Sequence, residues 1–222
     1  SYYPGALTST TTFDVVATSS EGCGDVSSNA LTVVVYEPLS LGTTSADQTI
    51  CYGTTPATLD NPGAAGASGL YSYQWEANVG MGWSAVGGAT APSFNPGDLT
   101  STTEFRLSVT DDEGCGSLLS NAITVTVLDE VIPALVSSNV ETICYGSGFA
   151  VESAGASGAD GEFAEQWFIQ LNNGGFSLAS DLDELSWSVL EAQNDYDIYL
   201  ESTSEFGCGT YTSNEIHVEV LD

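Results

Sequence analysis

SFNPGDLTSTTEFRLSVTDDEGCGSLLSNAITVTV, residues 93–127, decides how this chain is read. Within it Phe105, Leu107 and Val109 alternate with Arg106 and Ser108. After the GCG turn Ile123, Val125 and Val127 alternate with Thr124 and Thr126. Apolar residues at a period of two mark a strand with one buried face. Two such strands on either side of a glycine-bearing turn read as a hairpin, which places Cys115 in its loop.

The same stretch occurs again as SYYPGALTSTTTFDVVATSSEGCGDVSSNALTVVV at 1–35, and in degraded form as DYDIYLESTSEFGCGTYTSNEIHVEV at 195–220. Phe13, Val15 and Ala17 with Leu31, Val33 and Val35 repeat the pattern in the first copy; Ile198 and Leu200 with Ile216, Val218 and Val220 repeat it in the last. A second conserved block, TICYG, opens at Thr49 and at Thr142, followed by YQW at 73–75 and EQW at 165–167. Cys51 and Cys144 are thus early cysteines, and Cys23, Cys115 and Cys208 late ones. Early and late cysteines lie 64 residues apart in both Cys51/Cys115 and Cys144/Cys208, and like cysteines recur every 92 or 93 residues. A fixed period of this length marks a tandem array. The organisation expected is the C-terminal part of one repeat (1–36), a complete repeat (37–128) and a complete, diverged repeat (129–222). Disulfides are expected within repeats, Cys51–Cys115 and Cys144–Cys208, with free buried thiols as the alternative. Cys23 is left to a partner before Ser1, as in a window cut from a longer array. The joints at Glu37-Pro38 and Asp129-Glu130 are short and each lies by a proline, Pro38 or Pro133, which stiffens an extended connection.

Short apolar runs bounded by Gly, Ser and Thr, about seven strands in a repeat of this length, predict an all-β fold: tandem immunoglobulin-like antiparallel β-sandwiches. One stretch departs from this. SDLDELSWSVLEAQ, 180–193, reads as a loop with a short helix around Asp181–Ala192.

A cysteine, a tryptophan some 23 residues on, and a second cysteine resemble an immunoglobulin-like domain, which implies Trp75 and Trp167 on the third strand in the core. In antibody-type domains the second cysteine lies inside its strand. Here Cys115 and Cys208 stand between glycines in the loop beyond it, so a disulfide is expected near an end of the sandwich rather than beneath the tryptophan. ICYG, YQW, the acidic GCG loop and SN-A-[IL]-T-V-x-V together resemble the Ig-like or PKD-like tandem modules of very large bacterial surface proteins exported by the type IX secretion system. That group includes gliding-motility adhesins and hook-like extracellular appendages. The resemblance covers nearly the whole chain and implies surface display without naming a ligand.

Thirty acidic residues stand against one basic residue, Arg106, for a net charge of −29. Binding to a phosphate backbone needs clustered Lys and Arg, so nucleic acid is excluded as a partner. The same charge argues against docking on an anionic membrane, and no apolar run is long enough to insert. Such a charge keeps a protein soluble in a salty medium, or loads it with divalent cations. Isopeptide cross-links need lysine and are absent from this window. Cysteine pairing implies an oxidising compartment, extracellular or at the cell surface.

No catalytic residues are expected. His217 falls where the other copies have Thr32 and Thr124, on the polar face of the last strand. The carboxylates at Asp181, Asp183 and Glu184 have no cleft in the pattern to serve as a glycosidase pair. The cysteines are too widely spaced for zinc. Calcium, which takes hard oxygen ligands, is the one candidate cofactor, at Asp129 and Glu130 or at Asp111, Asp112 and Glu113. Tyr71, Tyr73, Trp83 and Trp187 are candidate sugar-stacking aromatics, Trp83 foremost. The reading is a non-catalytic structural segment of a large secreted appendage or filament used in cell attachment, with an adhesin module contacting glycans or other cells as the alternative. Its partners are then neighbouring repeats, further copies in a filament, or a cell-surface glycan.

Overall fold

A computed structural model describes residues 1–61, 63–172, 174–180 and 184–221. It is all-β, with no helix among the described residues, and builds tandem immunoglobulin-like sandwiches. The chain forms two compact units: Ser1–Ala46, Thr58–Asn95 and Glu104–Thr124 make the first; Asp47–Ala57, Pro96–Thr103 and Val125–Asp222 make the second.

In the first unit, Tyr71–Asn78 lies between Ser84–Ala85 and the long Thr103–Asp111 strand, all antiparallel. Ser117–Leu119 continues the ladder on the far side of Thr103–Asp111. Period two is realised as expected: Phe105, Leu107 and Val109 are buried and Arg106 and Ser108 are not. Trp75 has no exposed surface, donates its indole N–H to the Ala91 carbonyl at 3.0 Å, and its ring lies 5.9 Å from Phe94. The 1–36 segment forms one interrupted hairpin of two nested antiparallel pairs, Thr11–Phe13 with Leu31–Val33 outside and Val16–Thr18 with Asp25–Ser27 inside. Leu31 and Val15 are exposed there, although their counterparts Ile123 and Leu107 are core residues.

The second unit is a sandwich of two sheets. One orders Val136–Ser138, Phe149–Ser153 and Ser186–Val189. The other orders Thr142–Cys144, Ile216–Leu221, Tyr196–Ser204, Phe163–Leu171 and Ser177–Ser180, with Thr210–Thr212 also on Tyr196–Ser204. Val136, Phe149, Val151, Trp167, Tyr196, Ile198, Leu200 and Val218 fill the space between. Trp167 is fully buried and donates to the Glu184 carbonyl at 2.9 Å, the counterpart of Trp75 on Ala91. The same unit holds Gln48–Ile50, which runs parallel to Ile123–Val127 just as Thr142–Cys144 runs parallel to Ile216–Leu221.

Among the described residues of Asp181–Ala192 the expected short helix does not form. Residues 181–183 lie outside the described residues, and Ser186–Val189 is a strand. Trp187 and Val189 alternate with Ser186 and Ser188, and the strand pairs with Phe149–Glu152, where Trp187 meets Phe149 edge-on at 6.4 Å. Packing one apolar face against a sheet overrode the weak helical spacing of the acidic and leucine residues.

The Ser-Asn pair of the SN-A motif has one role in all three copies. The backbone N–H of Val15, Leu107 and Leu200 donates to the hydroxyl of Ser28, Ser120 and Ser213 at 2.9 Å in each case. Each hydroxyl donates in turn to the carbonyl of the following asparagine, Asn29, Asn121 or Asn214. The serine stands in for a ladder carbonyl where the returning strand breaks step.

Candidate functional site

The feature that organises the chemistry of this chain is a disulfide between Cys51 and Cys208, 157 residues apart, with Cα atoms 5.5 Å apart. The expected pairs Cys51–Cys115 and Cys144–Cys208 are not formed; Cys23, Cys115 and Cys144 are free and exposed. The reason is where the early cysteine sits. Thr49 and Ile50 pair with Thr126 and Val127, and the Leu128 N–H donates to the Ile50 carbonyl at 2.9 Å. Cys51 therefore stands at the exit of its own repeat, where the chain passes into the next. The late cysteine it bonds is the next repeat's, not its own.

A cleft of about 220 Å³ surrounds the bond, lined by Cys51, Tyr52, Thr54, Asp129, Glu130, Val131, Cys208 and Tyr211. The Tyr211 hydroxyl donates to the Cys208 carbonyl at 3.0 Å, and Thr54 donates N–H and hydroxyl to the Cys51 carbonyl at 3.2 and 2.8 Å. Asp129–Ile132, where the sequence repeat restarts, pairs with Ser157–Ala159.

Asp111 fixes the loop that carries the free Cys115. Its carboxylate accepts from the Ser68 hydroxyl at 2.5 Å, the Ser68 N–H at 2.9 Å and the Cys115 N–H at 3.0 Å. These donors, Ser68 first, hold its carboxyl down from 3.8 to about 2. Partial desolvation of its loop pushes the Cys115 thiol up, and the hydrogen bond and charge of Asp111 and the charge of Glu113 add to it. At Cys208 the equivalent of Asp111 is Ser204, whose buried hydroxyl has no hydrogen-bond partner among the described residues.

Of the calcium candidates, Asp111 is committed as above and Asp112 accepts from Ser72 at 2.6 Å. Asp129 and Glu130 line the cystine cleft. Among the described residues no three acidic, histidine or cysteine side chains converge as a metal set. Asp181 and Asp183 lie outside the described residues. His217 is exposed on the last strand, 2.6 Å from Asp197 on the neighbouring strand. That hydrogen bond raises its pKa against a smaller opposing effect of burial.

Trp83 is not an open platform. The Arg106 guanidinium lies 4.2 Å from its ring centroid and bonds Glu76 at 2.6 Å, so the chain's one strong cation is held between an aromatic face and a carboxylate. Register places Phe176, Tyr199 and Phe168 of the third repeat where Trp83, Arg106 and Glu76 stand in the second. Phe168 and Tyr199 are stacked at 5.1 Å and Phe176 meets Tyr199 edge-on at 4.9 Å. An ion pair under a tryptophan has given way to three aromatic rings at the equivalent positions. The sequence reading missed this set, because a one-residue insertion before Phe176 shifts its spacing.

Residues 40–129 match a family model described as a domain of unknown function, DUF8696. No curated protein matches the chain. Among solved structures, it is similar to the three N-terminal domains of the highly immunogenic outer capsid protein (Hoc) of bacteriophage RB49, at 11% identity and TM-score 0.46, over 96% of this chain and 80% of that one. Domains A168–A170 of titin match at 14% identity and TM-score 0.46, over 95% and 75%. Fibronectin(III)-like modules of Clostridium thermocellum CbhA match at 12% identity and TM-score 0.33, over 82% and 93%.

Proposed function

We propose that this chain is a non-catalytic structural segment of a large secreted, cell-surface appendage or filament that serves cell attachment, a product of type IX secretion. The observation that carries this reading is the Cys51–Cys208 bond, which joins the early cysteine of one repeat to the late cysteine of the next. A bond of that kind serves a protein whose task is to keep successive repeats together under load. Disulfides persist in oxidising surroundings, which supports display outside the cell. The charge of −29 supports a life in salty water, where self-repulsion is screened within a few ångströms and solubility is kept. Domain divisions at 36/37 and 128/129, filament formation by further copies, and calcium at Asp129 and Glu130 belong to the same reading.

A second reading, an adhesin module that contacts glycans, is favoured by the aromatic set of Phe168, Tyr199 and Phe176, the last of which is 39% exposed. Electron microscopy of the native protein on cells and after release decides between them. Ordered fibres with several chains in cross-section support the structural role. Single thin beaded strands, together with glycan binding lost in Phe176→Ala, support the adhesin. Melting in calcium and in chelator tests the ion: a lower Tm in chelator is expected, and identical curves remove calcium from the proposal.

A further inference from the structure

Cys144 occupies the place in the third repeat that Cys51 occupies in the second. Thr142, Ile143 and Cys144 pair in parallel with Glu219, Val220 and Leu221, in the register by which Thr49 and Ile50 pair with Thr126 and Val127. The Cys144 carbonyl accepts from the Ser147 N–H at 3.0 Å, as that of Cys51 accepts from Thr54. Cys144 therefore stands at the exit of its repeat. Cys23 and Cys115 occupy the loop that holds Cys208. In all three a backbone bond closes the loop: Ser19 to Gly24, Asp111 to Gly116 and Ser204 to Gly209, at 3.2, 2.9 and 3.0 Å. The three unbonded cysteines are exposed at these two kinds of position, while the bonded pair is partly covered.

We propose that Cys51–Cys208 is one link of a staggered series, in which the ICYG cysteine of each repeat bonds the GCG-loop cysteine of the following one. Cys144 is then a cross-linking site for a GCG-loop cysteine of another repeat of this kind. Cys23 and Cys115 are sites for ICYG cysteines of other repeats. The partner repeats lie on the same polypeptide or on another copy of it. Each link forms by thiol–disulfide exchange: two thiols give up two protons and two electrons to an oxidised disulfide donor, which leaves as two thiols.

Staggering changes what tension does. One bond carries a pull from Cys51 to Cys208 past 157 residues. Only the late-to-early stretch, 29 residues in Cys115 to Cys144, then remains before the next bond can take over. The array thus has one extensible stretch for every two repeats, whereas pairing within repeats leaves one in every repeat.

Thiol counting and disulfide mapping test this. The chain has one basic residue in total, so cleavage uses a Glu- or Asp-specific protease rather than trypsin. The 222-residue monomer, folded in an oxidised and reduced glutathione buffer and then alkylated, is expected to show three labelled thiols and a Cys51–Cys208 peptide. In protein isolated from its source under alkylating conditions, Cys144 is expected on a GCG-type peptide and Cys115 on an ICYG-type peptide. A single band on a non-reducing gel then places the partners on one polypeptide, and a ladder that collapses with reductant places them on separate copies. One labelled thiol in the monomer, a Cys51–Cys115 or Cys144–Cys208 peptide, or native protein with Cys144 alkylated overturns the proposal.

Discussion

Ser120 shows how much one hydroxyl carries. It accepts the N–H of Leu107, a residue with no exposed surface, and returns a bond to Asn121. Ser120→Ala leaves that buried N–H without an acceptor, at a cost of about 1–3 kcal/mol. A lower urea midpoint at unchanged m is the expected result, and Ser213→Ala is expected to match it through Leu200. Asp111 is legible in a pH series. Its carboxyl is lowered in the folded protein, so its contribution is whole above about 4 and is lost as pH falls towards 2. The other carboxylates titrate in the same range, so the informative quantity is a difference. Between pH 4 and 2 the wild-type Tm is expected to fall relative to that of Asp111→Asn; parallel curves would mean that the Ser68 and Cys115 donors do not favour the ionised form. The SN motif was visible in the sequence as a recurrence. Its job was not, because nothing in the spacing says that the serine faces a partner strand's N–H rather than water.

Among elements, the two joints rest on glycines by direct contact. A Cβ on Gly158 would lie 2.1 Å from the Glu130 carbonyl oxygen, and one on Gly66 at the same distance from that of Pro38. Both have positive φ, so a side chain there is both strained and blocked. Gly114 also has positive φ, +84°, but no atom lies within 4 Å of its Cβ position. Gly158→Ala is therefore expected to cost clearly more than Gly114→Ala, whose loss is the conformational one of roughly 1 kcal/mol. That alone shifts Tm by about 4–8 °C for a domain of this size. Thermal melts of the pair separate contact from conformation, and equal shifts would mean that the Asp129–Ile132 strand yields to the methyl. The strands were readable wherever period two was strong, as in Thr103–Asp111. The reading failed at Ser186–Val189, where two alternating apolar residues were too few to outweigh the acidic, leucine-bearing run beside them. It also passed over the replacement of Trp83, Arg106 and Glu76 by Phe176, Tyr199 and Phe168, which only strand register aligns.

For the whole molecule, the cysteine period was plain in the sequence and the pairing was not. Cys51 has a late cysteine 64 residues on and another 157 residues on, and the repeat offers both equally. The choice depends on the parallel pairing of Gln48–Ile50 with the last strand of its own repeat, which carries Cys51 to the exit. By the loop-closure model, whose mechanism is disputed, a bond across 157 residues restricts the unfolded chain by roughly 5 kcal/mol, against roughly 4 for 64. Cys208→Ser and Cys51→Ser are accordingly expected to destabilise the isolated chain by the same several kcal/mol in urea. The double variant should lose no more than either single one, since one bond is removed once. Cys115→Ser and Cys144→Ser should be near neutral, because in this chain neither thiol is bonded. The opposite pattern, with Cys115→Ser costing as much as Cys51→Ser, would show that the chain closes its disulfides within each repeat, and the load on the array would then pass through every joint in turn.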